Sequence, residues 1–544
     1  MLMILDVVLP RQVVDWSSVG YVSGVNLKSS VVAQKFLAWD KVSKQGLDFS
    51  ALQLLKDPTV YEYAFYRDED GNPFTYAAYQ DLILSTANEY DFTPDHPSRY
   101  ILFRASNQIG KSRALRGYTR YLVATKENIN IVLISNNLKN SQFLLAEIRK
   151  EFNNSAFGDT WREDVGETAN TTMLTFERDV VDKVTGKSRK ILNRIICAPA
   201  GEGALGYPVD YLFLDELDFY EDAKTLFWRV FFPRTKKTKG QIIGFSNPNP
   251  DIPVSESLLK ELWDGDLFQR KFHFNFLDAP WNTEEEFERD RRNSPSHIFA
   301  STHLGQWPED GGAFLTTKEI NDMLDKSLDG SSLPPVDRPV YVGIDLGKMR
   351  DNTVISVGIV KEPKFADDKY SDLEVLYQEE LPLGTKYNEI MLRYKEINDF
   401  YQDNYFGVDT MGYDATGQKS FEDFLKLYGV SGVPVDFSKK ETNKTLLYND
   451  FKLLAENRKI KIVHSVKCEK QLANLQFKYT ENKKLKKVEN KSDSIHDDFA
   501  DSIVILINVA VRKNHRAPSV TIIGKEAKNK QDSEFADIWN LMGL

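Results

Sequence analysis

The 544-residue chain carries 70 basic and 80 acidic side chains, a net charge of −10, with 41% hydrophobic and 28% charged residues. At about 150 residues per domain this length holds two to four domains with their own cores, and the apolar content excludes a disordered chain. Two cysteines, Cys197 and Cys468, and seven histidines speak against a disulfide framework and a Cys- or His-built metal centre, and the net charge by itself argues against DNA, although a sum hides local patches.

No stretch approaches the roughly 18 apolar residues of a membrane span, so no membrane partner is expected. The start, MLMILDVVLP, lacks a basic segment and is interrupted by Asp6, so it is not read as a signal peptide and a cytosolic location is expected. The first 70 residues are read as an N-terminal extension without an assigned role.

Phe74–Gln80 (FTYAAYQ) sets aromatics beside Gln80, a pair able to stack on and hydrogen-bond adenine, or alternatively part of an amphipathic helix. The apolar run 100–106 predicts a strand leading into Ala105-Ser106-Asn107-Gln108-Ile109-Gly110-Lys111-Ser112 and then a helical run, Arg113–Ala124. Strand, loop and helix in that order form the context of a phosphate-binding P-loop. Backbone N–H groups from Ser106 to Gly110 wrap the phosphates, Lys111 reaches the β and γ oxygens, and Ser112 holds Mg²⁺. Ala105 stands where the pattern has glycine.

Further apolar runs at 130–135, 211–216 and 241–247 alternate with helical patterns, which predicts a parallel sheet covered on both faces. The run Tyr211–Leu214 leads into Asp215 and Glu216, acids suited to hold magnesium and to activate the attacking water. The third run ends in Ser246-Asn247-Pro248, polar groups suited to sense a γ-phosphate.

DKSLDGSSLPPVDRP, residues 325–339, reads as an interdomain linker. Beyond it, runs at 341–347, 353–360 and 373–381 predict antiparallel hairpins. A fourth run, 404–410, follows a helical stretch over 386–402 and is expected to pair in parallel. Asp345 ends the first of these strands and Asp409 the fourth, while Asp497, Asp498 and Asp501 open an apolar helix. Converging carboxylates repel unless cations lie between them, and hard oxygen ligands select Mg²⁺ or Mn²⁺, two of which about 4 Å apart can cleave a phosphodiester. Alternatively, Asp497 and Asp498 simply cap the helix. Asp351, six residues past Asp345, is a further acid within reach.

Two basic clusters offset the acidic sum. Residues 478–491 hold six lysines against two glutamates, read as a hairpin laying Lys483, Lys484, Lys486 and Lys487 on a DNA backbone, and Arg229–Lys239 holds five basic residues and no acid. Residues 514–544 read as a polar tail.

This order of motifs, over about residues 70–510, resembles the large terminase subunit of tailed bacteriophages. The resemblance implies an ASCE-type, RecA-like P-loop ATPase domain (71–325), the linker (326–339) and an RNase H-like α/β nuclease domain (340–513). By position it implies nucleotide and magnesium binding at Lys111 and Ser112, Asp215 and Glu216 as Walker B acid and catalytic glutamate, and Ser246 with Asn247 as coupling motif. It gives Asp345, Asp409 and Asp497, assisted by Asp498 or Asp501, as nuclease ligands. Implied cofactors are ATP with Mg²⁺ and two Mg²⁺ or Mn²⁺ ions at the nuclease. Implied partners are double-stranded DNA, a portal protein, the small terminase subunit and a homo-oligomeric, pentameric ring. The implied location is the host cytoplasm, outside the mature virion.

Asn107 departs from the P-loop arginine of many members, leaving Arg104, Arg194 and Arg229 as candidates for the charge-stabilising finger. A helicase–nuclease of repair or defence would need a second RecA-like domain, yet about 80 residues separate Asn247 from the linker. The other alternative is a non-catalytic, nucleotide-gated DNA-binding protein.

Overall fold

The computed structural model describes residues 30–511 apart from 45–48, 69–71, 156–161, 164–171, 182–185, 202–205, 207, 309–311, 329, 348–350, 364, 366–367, 417–418, 440–441, 480–485 and 493–494. Two α/β sheets form its scaffold. The first comprises β1 (Tyr100–Ala105), β2 (Asn130–Ser135), β3 (Arg162–Glu163), β4 (Met173–Val181), β5 (Ser188–Pro199), β6 (Tyr211–Asp215), β7 (Gln241–Ser246) and β8 (Arg270–Phe274), ordered β3-β4-β5-β2-β6-β7-β1-β8. Its six strands from β5 to β8 pair in parallel, and β3 and β4 add an antiparallel edge. The central parallel strands β1, β2, β6 and β7 are almost wholly buried, as continuous apolar runs require when helices cover both faces.

β7 lies between β1 and β6, so the phosphate-loop strand and the Asp215 strand flank the strand that ends in Ser246. The register sets Arg104 beside Ser246 and Asp215 beside Phe245, which brings all three strand ends to one edge.

The second sheet comprises β9 (Leu324–Asp325), β10 (Val340–Asp345), β11 (Val354–Lys361), β12 (Asp372–Glu380), β13 (Val408–Asp414), β14 (Val433–Val435) and β15 (Ile460–Val463), ordered β14-β13-β10-β11-β12-β15-β9. β10, β11 and β12 are antiparallel and β13 runs parallel to β10, as the sequence predicts. The helix Asp498–Ala510 lies across this sheet because glycines let it approach. A Cβ on Gly343 would meet the Ser502 carbonyl at 2.3 Å, and one on Gly412 would meet Val509 at 2.7 Å. A separate hairpin pairs β16 (Leu475–Tyr479) with β17 (Lys486–Asn490), matching the expected basic hairpin in its two strands.

The expected domain boundaries at 71 and 325 need correction. Trp39, Leu55, Val60, Tyr61 and Tyr66 pack in one core with Phe103 and Phe213, so the described part of the expected extension belongs to the first domain. Glu62 also closes a fully buried ion pair with Arg120 of the helix after the phosphate loop. At the other end, Phe314, Ile320, Met323 and Leu324 enter the core of the second domain, and β9 pairs with β15, so the last part of the expected first domain, up to Asp325, is on the nuclease side. An apolar run records that it is buried and leaves open in which core.

Between the domains, Arg292 pairs with Asp368 at 3.2 Å, and Ser296 donates from Oγ to Glu456 at 2.7 Å. No described helix is long and apolar enough to cross a membrane.

Candidate nucleotide and carboxylate sites

The phosphate loop turns out of β1 and enters the helix Lys111–Thr125 at Gly110, whose φ of 77° lies in the left-handed region. A Cβ there would meet Gln80 Nε2 at 2.8 Å and Trp281 at 3.1 Å, so glycine is required twice over. Ile109 is buried in the core and anchors the loop, leaving only its backbone for a ligand, while Asn107 and Gln108 are exposed. Ser106 N–H donates to Phe274 O at 3.0 Å and Asn107 N–H to Thr302 O at 2.7 Å, tying the loop to β8 and to the helix Ser296–Thr302. Ser112 is the second residue of the P-loop helix.

Lys111 Nζ donates to Ala105 O at 3.3 Å and Ser106 O at 3.1 Å. Burial lowers its pKa below the ordinary lysine value, and Asp215 and Glu216 oppose that shift, which locates both acids within electrostatic reach. Burial pushes Asp215 up to about 6, with Lys111 pulling it down and Glu216 adding to the rise. Glu216 sits in the left-handed region at φ 56°, at the start of the 3₁₀ turn Leu217–Phe219. Ser246 Oγ accepts from Asp218 N–H at 3.2 Å, and Asn247 Nδ2 donates to Ser301 Oγ at 3.1 Å. These residues therefore link the Glu216 turn to the helix that holds Asn107.

Gln80, expected to hydrogen-bond adenine, has both ends of its side-chain amide engaged within the chain. Its Oε1 accepts from Ala77 N–H and its Nε2 donates to Gly110 O, both at 3.0 Å, so the amide braces the phosphate loop. Trp281, which sequence reasoning missed, does the same from the open side, donating from Nε1 to Gln108 O at 3.1 Å. Among the finger candidates, Arg104 is buried between the indoles of Trp263 and Trp307, at 4.4 and 4.5 Å. Arg194 pairs with Asn130 at the start of β2, the edge opposite the phosphate loop, and Arg229 is exposed.

The carboxylate site lies at the corresponding edge of the second sheet. Asp345 ends β10 and is 8% exposed. Burial raises its pKa well above the carboxylate range, reinforced by the charges of Asp501, Asp414 and Asp498. Asp409, the expected strand-end partner, does not join them. It is exposed near the start of β13, at the bulge where the register shifts between Val408 beside Val340 and Thr410 beside Tyr341, and lines a cavity with Tyr394 and Asn398. β13 runs from Val408 to Asp414, so its terminal acid is Asp414. Register sets Tyr413 beside Ile344, one residue short of Asp414 and Asp345, and the charge of Asp414 acts on Asp345. Five residues of strand separate Asp409 from that position by about 16 Å.

Asp497 occupies the cap position of the Asp498–Ala510 helix, yet its side chain makes no cap hydrogen bond. It pairs instead with Lys444 Nζ at 2.6 Å, and the same ammonium meets Asp501 at 2.8 Å. Tyr448 OH donates to the other Asp501 oxygen at 2.7 Å. Burial pushes Asp501 up to about 7, opposed by Lys444 and aided by Asp497. Burial and then the charge of Asp351 push Asp498 up to about 6. Asp351, His496 and Asp498 each offer a ligand atom within 4.8 Å of the others. Buried hard oxygen donors whose charges hold one another's protons on are a donor set suited to divalent cations. Neither Lys444 nor Tyr448 carried a sequence signal, since both reach the site from a helix fifty residues upstream. The expected DNA-contacting lysines Lys483 and Lys484 lie outside the described residues; Lys486 and Lys487 fall on the β17 backbone, their side chains outside the description.

A family model described as the terminase RNase H-like domain matches residues 342–509. Among solved structures, the large terminase of the thermophilic bacteriophage D6E is 13% identical over 80% of this chain and 99% of that chain, with a TM-score of 0.46. The large terminase of bacteriophage HK97 is 12% identical over 84% of this chain and 99% of that one, with a TM-score of 0.36. The large terminase nuclease of thermophilic phage G20c is 15% identical over 35% and 96%, with a TM-score of 0.29. No curated protein sequence matches the chain. The family-model match falls on residues 342–509, the stretch that carries Asp345, Asp414, Asp498 and Asp501, and is in agreement with the large terminase subunit that the order of motifs resembles.

Proposed function

We propose that this chain is the motor subunit of a phage DNA-packaging machine, hydrolysing ATP to move double-stranded DNA into a procapsid and cutting concatemeric DNA by two-metal phosphodiester hydrolysis. The observation that carries the reading is the gathering of Asp345, Asp414, Asp498 and Asp501 at one sheet edge inside the terminase-family domain. Those four carboxylates would hold two Mg²⁺ or Mn²⁺ ions, which when bound supply an activated water and charge for the leaving oxygen. Lys444 neutralises and orients Asp497 and Asp501, and Tyr448 fixes the remaining Asp501 oxygen.

In the first domain, Lys111 and the loop N–H groups after Asn107 bind the phosphates of ATP, Ser112 and Asp215 hold its Mg²⁺, and Glu216 accepts the proton of the attacking water. Ser246 and Asn247 pass the state of that site to the helix Ser296–Thr302. A portal protein, the small terminase subunit and a pentameric ring of this chain in the host cytoplasm complete the proposed machine.

Metal-dependent plasmid cleavage by wild type and Asp345→Ala tests the nuclease. Loss of cutting with retained ATP hydrolysis is expected, and a folded Asp345→Ala protein that still cuts refutes it. ATP turnover stimulated by portal-bearing procapsids separates a packaging motor from a helicase–nuclease.

A further inference from the structure

The segment that follows Glu216 has chemistry that neither site uses. Glu216 and Asp222 both take the left-handed backbone, at φ 56° and 53°, a conformation that non-glycine residues rarely adopt. Beyond Asp222 the chain is helical from Ala223 to Lys236, with a π-helical turn at Phe227–Phe231. Pro233 explains the wide turn, because its ring crowds the carbonyl four residues back, while Phe232 N–H donates to Phe227 O, five residues back. Such turns are frequent at functional sites.

One side of this segment is fixed by burial of Leu226, Phe227, Phe231 and Thr235. Arg229, Arg234, Lys236, Lys237 and Lys239 are all exposed. None of the five has a carboxylate partner among the described residues. The nearby acid Glu261 is occupied at the start of the helix by Lys224 at 2.9 Å and by Trp228 Nε1 at 2.7 Å. Five uncompensated charges within eleven residues, in a chain of net charge −10, form a local field aimed at a polyanion. The cluster spans about 15 Å if helical throughout, over which one strand of a duplex presents about four phosphates.

We infer that the exposed basic face from Arg229 to Lys239 is a contact surface for the phosphate backbone of double-stranded DNA, carried on the segment that leaves the catalytic strand at Glu216. The inference rests on the proposed motor function and adds to it a surface in the ATPase domain. Because hinge-like left-handed residues bracket the connection, a change at the Glu216 turn is delivered directly to the element that touches DNA.

The test uses the full-length chain carrying Arg234→Gln, Lys236→Gln and Lys237→Gln, all exposed and outside the nucleotide site. Duplex affinity is measured against salt, together with ATP turnover with and without DNA. The plot of log affinity against log salt should flatten by about 2–3, near 0.9 for each lost phosphate contact. DNA stimulation of turnover should fall while turnover without DNA is unchanged. A Lys236→Glu and Lys237→Glu pair should weaken binding further. Wild-type binding with an unchanged slope in the variant overturns this surface alone. Wild type without salt-dependent DNA binding overturns the proposed function and the surface together. An unchanged slope accompanied by altered self-association assigns the face to a second copy of the chain and also overturns it.

Discussion

Each site sets one lysine near carboxylates at the edge of a sheet, and the two lysines are driven in opposite directions. Burial lowers Lys111, whose Nζ rests on two loop carbonyls and feels Asp215 and Glu216 only as an opposing field. Lys444 is raised despite burial because Asp501 and Asp497 touch it directly. A lysine on neutral carbonyls keeps its charge available for an incoming anion. A lysine clamped by two carboxylates is already a counter-ion, and it shows how strongly the surrounding acids demand positive charge. On the proposed reading, the first site receives phosphate and the second receives cations.

The sharpest way to break that contrast is to exchange the acids. Asp345→Asn or Asp414→Asn should lower DNA cleavage by about 10³-fold or more, the several kcal/mol a metal ligand contributes, with ATP turnover unchanged. Asp409→Asn should leave cleavage within about twofold. Lys111→Ala should do the reverse, abolishing hydrolysis and sparing metal-dependent cutting. Cleavage lost in Asp409→Asn but kept in Asp414→Asn would reinstate the strand end expected from sequence.

Next in size is the pH dependence. Asp498 and Asp501 are held up at about 6 and about 7 from an ordinary 3.8, and metal must displace their protons. Mn²⁺ affinity of the nuclease site should therefore rise by about tenfold per pH unit and proton between pH 5 and 7, then level off. The same shifts mean that the folded state binds these protons more tightly than the unfolded chain. The contribution of these groups to metal-free stability is thus present below about 4 and lost as pH rises towards 7. Melting curves with and without Mn²⁺ across that window check the sign, which is opposite to that of a salt-bridged surface carboxylate.

Lys444→Ala should destabilise the metal-free protein by about 1–3 kcal/mol, since two carboxylates lose their donor. Mn²⁺ should recover more of that loss in the variant than it adds to wild type. The smallest effect is Gly110→Ala, expected to cost about 1–2 kcal/mol from the left-handed backbone, with weakened ADP binding as Gln80 and Trp281 are pushed from the loop. Calorimetric titration with ADP measures it, and unaltered affinity would remove Gln80 from its bracing role.

The geometry of the proposed nucleotide site follows the sequence closely because its groups succeed one another along the chain. A strand, five residues and a helix contain the loop, and four apolar residues deliver Asp215 and Glu216. The carboxylate site was half legible. Asp345 and the Asp498–Ala510 helix could be read locally, but β13 was taken to end at Asp409. Gly407 holds the signal that was missed: at φ 76° it terminates the preceding helix, its N–H donating to Tyr401 O, so the strand begins after it and ends at Asp414. Gln80 was read by its chemical capacity to bind a base, whereas packing had already committed both ends of its amide.

Residue order alone determined the two α/β units, the P-loop with its acidic strand and the helix that opens with three aspartates, because each depends on apolar periodicity and on neighbours a few positions apart. Only the tertiary structure decided that Asp414 rather than Asp409 stands beside Asp345, that Lys444 and Tyr448 enter the site, and that residues on either side of the expected boundaries join the cores they do. Strand register and core membership depend on partners scores of residues away, and a shift of one strand end moves a carboxylate across the sheet.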